Sequence, residues 1–191
     1  IKIKPVLTEM TERSIPFGIV VSGSHLALKQ GYTYQSIEAD GFKICEMLAN
    51  QMDGTSLESM TKSVGISIIE HAHFFARETP SSILLVGDRF DILPVAISAS
   101  MMNIPILHIQ GGEISGSIDE SIRHTITKLS HVHFVSTQQA RDRVAAMGEN
   151  PDLVFVTGCP TVDLLNQAGD CELGLAALKT NNSAFEQIQE R

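Results

Sequence analysis

Four short apolar segments, each closed by glycine or polar residues, dominate the second half of the chain. They are "SILLVGD" (82–88), "IPILHI" (104–109), "HVHFVS" (131–136) and "DLVFVTG" (152–158). A short continuous apolar run of this kind is typical of a strand that is buried on both faces of a parallel sheet. Because helical patterns separate the segments, the sequence predicts an α/β fold with a doubly wound parallel sheet.

The remaining elements follow from periodicity and from helix-breaking residues. Between Gly54 and Glu78, apolar residues recur every three or four positions, which indicates an amphipathic helix. A helix over 118–130 should present Ile118, Ile122, Ile126 and Leu129 on one side. We also predict helices over 1–13, 31–40, 90–103 and 138–148 and a strand over 15–23. Residues 1–165 are expected to form one domain, and 166–191 a linker or the start of a second domain.

Composition narrows the class of protein. The 191 residues are 43% hydrophobic and carry a formal net charge of -8, which argues against a nucleic-acid partner and an anionic membrane surface. No apolar run reaches the roughly 20 residues that a spanning helix needs, and no signal peptide is recognisable. The three cysteines show no CxxC spacing, which suggests free thiols in a reducing compartment. We therefore expect a cytoplasmic protein without a membrane partner.

Open α/β sheets bind ligands beyond the carboxyl ends of their strands. This chain places "GSHL", "GDRFD", "HIQGGE", "STQQ" and "TGCP" at those ends. Ser24 and His25 could contact a ligand or only turn the chain. Asp88 could act as a general base and Arg89 as a phosphate clamp. The alternative is a helix-capping Asp88 beside a solvated Arg89.

The stretch "HIQGGEISGSIDESIRH" (108–124) combines carboxylates, histidines, an arginine and glycines. Gly111 and Gly112 permit positive φ and close approach of a ligand. Strand alternation predicts that His108 and Gln110 share a face opposite Ile109, so Gln110 should meet other polar groups.

The end of the same stretch carries a helix-start signal. Ser117 and Glu120 fit a capping box. Asp119 would then lie in the first helical turn, where the helix dipole stabilises a carboxylate, and could pair with Arg123 on the same face. For Asp119, a functional role in the site is the alternative to these structural roles.

The histidines raise the question of a metal. His131 and His133 alternate on a strand, but no HExxH or other compact ligand motif is present. We expect both to be packing and hydrogen-bonding residues, and we expect neither a metal nor a cofactor. The chain also lacks GxGxxG and GxxxxGK[ST] motifs, so nothing supports a dinucleotide or ordinary NTPase site.

Three segments together carry a resemblance to a known family. "GDRFD", "MMNIPILHIQGGEISGSIDESIRHTITKLSH" and "TGCPTVDLL" resemble the hydrolysing UDP-N-acetylglucosamine 2-epimerases of sialic acid biosynthesis. "VSGSHL" and "GYTYQSIEADGF" agree with the upstream part of that family. The resemblance covers residues 1 to about 165. It implies one Rossmann-like half of a two-domain GT-B-type enzyme whose first strand precedes this chain.

The resemblance also implies a reaction and roles for residues. UDP-N-acetylglucosamine and water would give N-acetylmannosamine and UDP through an elimination and a hydration. Asp88 and Asp119 match acidic active-site positions, and Arg89 matches an arginine that contacts substrate. Gln110 stands where relatives often carry Glu or His and cannot transfer a proton, so Glu113 is the nearest substitute. Further substrate contacts are expected from Gln110, Gly111, Gly112, Ser24, His25, Arg123 and His124.

Several alternatives stay open at this point. The same reaction on a UDP-2,4-diacetamido-2,4,6-trideoxy sugar is a close rival, and a non-hydrolysing 2-epimerase is a further one. A non-catalytic module that binds a nucleotide sugar belongs to a different class. If a second domain supplies the remaining contacts, residues 1–191 alone should turn over negligibly and bind UDP weakly. We expect the full-length protein to be a homo-oligomer.

Overall fold

The computed structural model describes residues 2–28, 31–52, 54 and 56–168. The chain divides into two compact units, one of which spans Pro16–Gly158. The other contains Lys2–Ile15 and, of the described residues, those from Cys159 to Ala168. The domain boundary at 165 stays a prediction, and the expected linker over 166–191 lies outside the described residues from position 169.

All paired strands of the larger unit are parallel. The strands are β1 (Ile19–Ser22), β2 (Ile44–Leu48), β3 (Ile83–Val86), β4 (Ile106–Ile109), β5 (Val132–Val135) and β6 (Val154–Val156). They form a two-stranded sheet, β1-β2, and a four-stranded sheet in the order β3-β4-β5-β6. The α/β architecture with parallel strands is thereby confirmed.

Helices connect the strands. The larger unit contains α2 (Tyr34–Ala39), α3 (Leu57–Glu78), α4 (Leu93–Met101), α5 (Ile118–Leu129) and α6 (Gln138–Ala146). The smaller unit contains α1 (Lys4–Glu12) and α7 (Pro160–Ala168). Pro5 lies in the first turn of α1, where its missing N–H costs no intrahelical hydrogen bond. No described helix is long and apolar enough to span a bilayer.

The main core lies between the four-stranded sheet and helices α3, α4 and α5. Phe75 of α3, Ala96 of α4, Ile106 of β4 and Ile126 of α5 are all buried in it. Ile118 stays outside this core, because it begins α5 and remains 68% exposed. The predicted helix is confirmed, and the buried part of its apolar side begins after its first turn.

Sequence patterns missed strand β2 and helix α7. In β2 the alternate residues Ile44, Glu46 and Leu48 are the less exposed ones, so a charged residue interrupts the apolar face. Glu46 is accommodated there because Arg77 of α3 donates a hydrogen bond of 2.6 Å to its carboxylate. A charge on the half-buried face hides the two-residue period by which a strand is recognised.

The turn after β4 gives a test of packing. A Cβ added to Gly112 would lie 2.6 Å from the carbonyl oxygen of Ala140 and 2.7 Å from Val144 Cγ2, and φ there is +76°. Gly112→Ala should therefore lower the free energy of unfolding by about 2–4 kcal/mol, from overpacking and left-handed strain together. Urea denaturation at 25 °C would measure the loss.

Gly116→Ala is the matched control. Gly116 also has positive φ, +69°, but nothing lies within 4 Å of its Cβ position. It should cost only the backbone strain of about 1–2 kcal/mol. Equal losses in the two variants would contradict the close packing of Gly112 against α6.

Candidate functional site

Polar side chains gather at the carboxyl ends of the parallel strands, as the sequence predicts. The loop after β3 carries Asp88, Arg89 and Asp91, and the loop after β4 runs from Gln110 to Ser117. Because adjacent parallel strands end at the same edge of a sheet, these loops are neighbours. Helix α5 then brings Arg123 back to both of them.

Arg123 connects the two loops. Its side chain is only 7% exposed, and its Nη2 donates to Asp88 Oδ2 in a salt bridge. Its Nη1 donates to the backbone carbonyl of Glu113 at 2.6 Å. The prediction that Arg123 pairs with Asp119 was wrong, because α5 turns Arg123 inward, where a buried guanidinium requires charged and polar partners.

Asp88 does not cap a helix. Helix α4 begins at Leu93 with Ile92 at its N-cap position, so the alternative that made Asp88 a capping residue was wrong. The Asp88 carboxylate is 26% exposed and held on one side by Arg123. It is therefore fixed in position but still open to a ligand.

Asp91 is a residue of this edge that the sequence reasoning did not single out. Its carboxylate accepts a hydrogen bond of 2.7 Å from the Ser24 hydroxyl. It also lies 3.6 Å from Arg89 Nε, whose side chain is 57% exposed. Asp91 thus links the end of β1 to the loop after β3 and occupies the hydroxyl of Ser24. In the sequence, the second aspartate of "GDRFD" could have pointed to this residue.

Gln110 lies outside the strand. Strand β4 ends at Ile109, and Gln110 has a left-handed φ of 67°. Its N–H still donates to the carbonyl of Phe134 at 2.9 Å. The alternation that placed Gln110 on the face of His108 does not extend past Ile109, so that prediction was wrong. A left-handed residue other than glycine costs of order 1–3 kcal/mol and concentrates at functional sites.

Gly111 and Gly112 are buried. A Cβ on Gly111 would lie 3.0 Å from both His108 Nδ1 and Thr127 Oγ1. Arg143 of α6 donates to the carbonyl of Gly112. The structure thus gives packing against protein atoms as the reason for glycine at both positions, whereas the sequence suggested close approach of a ligand.

Glu113 turns its carboxylate toward the loop after β5. Glu113 Oε1 accepts a hydrogen bond of 2.6 Å from the Ser136 hydroxyl, while its carbonyl accepts from Arg123. The side chain is half-buried. Because Ser136 is its only hydrogen-bond partner among the described residues, the carboxylate keeps further capacity to accept.

The start of α5 is capped much as the sequence predicts. Ser117 is the N-cap, and its hydroxyl accepts from the N–H of Asp119 at 3.3 Å. The Glu120 carboxylate accepts from the N–H groups of Ser115 and Gly116 at 2.7 and 2.8 Å, which lowers the pKa of Glu120. The partners differ from an ideal capping box by one or two positions, but the carboxylate reaches back as expected.

The predicted histidines differ in their surroundings. His25 is exposed, and its Nδ1 lies 2.7 Å from Thr33 Oγ1. His124 has a buried Nδ1 that makes no hydrogen bond within the described residues. The hydrogen-bonding role of His131 is confirmed, since its Nδ1 accepts from the N–H of Ile106 at 3.2 Å. Within residues 2–168, excluding the four undescribed positions, no three His, Cys, Asp or Glu side chains converge as metal ligands.

His108 and His133 pair across β4 and β5. Burial lowers the pKa of His108 to about 4, and its neighbours His133 and Arg123 act in the same direction. Burial also lowers the pKa of His133, although its Nε2 lies 3.4 Å from Glu149 Oε2. Both rings are therefore neutral near pH 7.

Comparisons with known proteins agree with this architecture. The chain is 40% identical over 153 residues to the UDP-N,N'-diacetylbacillosamine 2-epimerase (hydrolyzing) of Legionella pneumophila, a match that covers 80% of this chain and 41% of that protein. It is 31% identical over 165 residues to the UDP-N-acetylglucosamine 2-epimerase of Neisseria meningitidis serogroup B, covering 86% of this chain and 43% of that protein.

A solved structure shows the same fold. The Methanocaldococcus jannaschii UDP-GlcNAc 2-epimerase in complex with UDP-GlcNAc and UDP superposes with a TM-score of 0.77 at 21% identity. The superposition covers 94% of this chain and 50% of that one. The chain thus spans between two fifths and one half of the length of these relatives.

The family model for UDP-N-acetylglucosamine 2-epimerase matches residues 8–189, which is nearly the whole chain. The parallel α/β fold and the polar groups at its carboxyl edge are in accord with that match. The chain belongs to the UDP-N-acetylglucosamine 2-epimerase family.

Proposed function

We propose that residues 1–191 form the N-terminal Rossmann-like part of a two-domain, hydrolysing 2-epimerase that converts UDP-N-acetylglucosamine and water to N-acetylmannosamine and UDP. The observation that carries the proposal is the placement of Arg123. Its guanidinium binds the Asp88 carboxylate and the backbone of Glu113, and it projects from the helix whose first turn holds Asp119. The Arg123 side chain thus joins the three segments that carry Asp88, Glu113 and Asp119.

The reaction needs such a set of carboxylates. In the first step the C2–H bond and the C1–O bond to UDP break, which leaves a 2-acetamidoglucal. In the second step water adds to C1 while a proton returns to C2 from the opposite face. Proton transfer on two faces of one ring requires two positioned acid–base groups. The net change consumes one water and releases UDP.

We assign Asp88 and Asp119 to the two faces of the sugar, with Glu113 as a third candidate for proton transfer. Arg89 supports the departing diphosphate, since its guanidinium is 57% exposed and only loosely paired with Asp91. Gln110, His25 and His124 complete the proposed set of direct substrate contacts. Ser24, Gly111, Gly112 and Arg123, whose atoms already contact protein groups, would support that set from behind. No metal or cofactor is required in this scheme.

A second substrate is favoured by one observation. The 40% identical Legionella relative carries the name of an epimerase of UDP-N,N'-diacetylbacillosamine, whereas the Neisseria relative at 31% is named for UDP-N-acetylglucosamine. The alternative function is therefore the same reaction on a UDP-2,4-diacetamido-2,4,6-trideoxy sugar. A cytoplasmic location and a homo-oligomeric state stay predictions from the sequence.

Product analysis of the full-length protein tests the reaction. With UDP-N-acetylglucosamine in heavy water, we expect free UDP and free N-acetylmannosamine that carries deuterium at C2. An epimerised UDP-sugar without release of UDP would indicate the non-hydrolysing reaction. Binding of the UDP-sugar without turnover of either sugar would indicate a non-catalytic module, and preferential turnover of the diacetamido sugar would select the alternative substrate.

Asp88→Asn and Asp119→Asn test the acid–base assignment. If each carboxylate moves a proton, kcat should fall by about 10²–10⁴-fold in the full-length enzyme with folding intact. If Asp119 only complements the helix dipole, Asp119→Asn should cost under about 1 kcal/mol of stability and leave kcat nearly unchanged. Steady-state kinetics and thermal melting of the same samples separate these outcomes.

Glu120→Gln is the matched control for Asp119. Its carboxylate lies in the same helical turn but is directed to the N–H groups of Ser115 and Gly116. We expect a lower melting temperature and a nearly unchanged kcat. A loss of kcat as large as that of Asp119→Asn would show that any change of charge at this turn impairs the enzyme.

Gln110→Ala and Glu113→Gln distinguish binding from proton transfer. Removal of a hydrogen bond that is made equally to substrate and transition state should raise KM more than it lowers kcat, which we expect for Gln110→Ala. Glu113→Gln should lower kcat more than it changes KM. Normal kcat and normal C2 deuterium uptake in Glu113→Gln would leave Glu113 a structural role beside Ser136.

A further inference from the structure

His108 lies inside the four-stranded sheet, directly below the candidate site. Its side chain is fully buried, and β4 places it between Leu85 of β3 and His133 of β5. Its Nε2 lies 2.9 Å from the carbonyl oxygen of Gly87. Gly87 immediately precedes Asp88, so this hydrogen bond acts on the peptide group from which Asp88 projects.

The other ring nitrogen contacts α5. His108 Nδ1 lies 3.3 Å from the hydroxyl of Thr127, and that hydroxyl lies 2.9 Å from the carbonyl of Arg123. Gly111 packs against the same two groups, because a Cβ at this position would lie 3.0 Å from both His108 Nδ1 and Thr127 Oγ1. One ring therefore touches the segments that carry Asp88, Arg123 and the turn after Gln110.

The proton on this ring can be located. Its burial keeps it neutral at pH 7, since the pKa of His108 falls to about 4. A neutral imidazole carries one N–H, and the carbonyl of Gly87 can only accept a hydrogen bond. The proton must therefore lie on Nε2. Nδ1 then carries no proton and faces the Thr127 hydroxyl at 3.3 Å, while that hydroxyl donates to the nearer carbonyl of Arg123.

We propose that His108 is a positioning residue for Asp88: its Nε2–H holds the Gly87 carbonyl and thereby sets the Asp88 carboxylate against Arg123. The catalytic consequence rests on the role proposed above for Asp88. His108 itself touches no substrate, since its side chain is fully buried. Its effect on the reaction passes through the peptide between Gly87 and Asp88.

His108→Asn and His108→Gln separate this role from simple packing. The amide nitrogen of Gln can occupy the place of Nε2 and still donate to Gly87, whereas that of Asn reaches only the place of Nδ1. A catalytic group displaced by about 1 Å loses about 10²-fold in rate. In the full-length enzyme we expect His108→Asn to lower kcat by about 10–100-fold with KM changed less than about threefold, and His108→Gln to restore most of kcat.

His133→Asn is the matched control. His133 is the neighbour of His108 on β5 and is equally buried, at 1% exposure. No hydrogen bond joins its ring to the described site residues. We expect a lower melting temperature comparable to that of His108→Asn, with kcat close to the wild-type value. Parallel losses of kcat in both variants would overturn the positioning role, because destabilisation alone would then explain the effect.

The tautomer gives a test that needs neither activity nor a substitution. In ¹⁵N-labelled protein at pH 7, long-range ¹H–¹⁵N spectra should show the proton of His108 on Nε2 and a bare Nδ1. A proton on Nδ1, or a His108→Asn enzyme with wild-type kcat, overturns the proposal. If Asp88→Asn keeps full activity while the Nε2–H tautomer is observed, the proposed catalytic role of Asp88 is wrong. The hydrogen bond from His108 to the Gly87 carbonyl is then still supported.

Discussion

The buried guanidinium of Arg123 is the interaction on which the arrangement of the candidate site depends. A charge that is 7% exposed must be paired and hydrogen-bonded. Its partners come from two different loops, the carboxylate of Asp88 and the carbonyl of Glu113. Neither loop can move away without leaving the cation unpaired, so the conformations of the two loops are coupled through a side chain on α5.

The loops are also part of the packed interior. Gly111 lies on the contact between His108 and Thr127, and Gly112 lies against the backbone of α6. Protein interiors are packed too densely to admit an additional carbon atom at such positions without displacement. The turn that presents Gln110 and Glu113 is thus held from below by two helices and a strand. This arrangement keeps a site rigid enough for geometry to control its chemistry.

Electrostatics at the edge are local. The chain carries a net charge of -8, so the overall field would oppose the diphosphate of the proposed substrate. Arg123 is already paired with Asp88. Arg89 in the loop after β3 is 57% exposed and therefore remains accessible to a phosphate group. The relatives are about twice as long as this chain, in line with a proposed site completed by a second domain.

The sequence by itself determined the class of fold, since short apolar runs that alternate with amphipathic helices can bury their surfaces only as a parallel α/β sheet. The sequence also indicated where the candidate residues lie, because glycines and polar or charged residues follow the strands. Tertiary structure alone decided which groups meet. Arg123 pairs with Asp88 and not with Asp119, a choice made by the inward face of α5. Gln110 adopts a left-handed φ of 67°, which ends the alternation that sequence reasoning relied on. Pairing across distant segments depends on how helices and strands pack, and a one-dimensional pattern contains no distance between them.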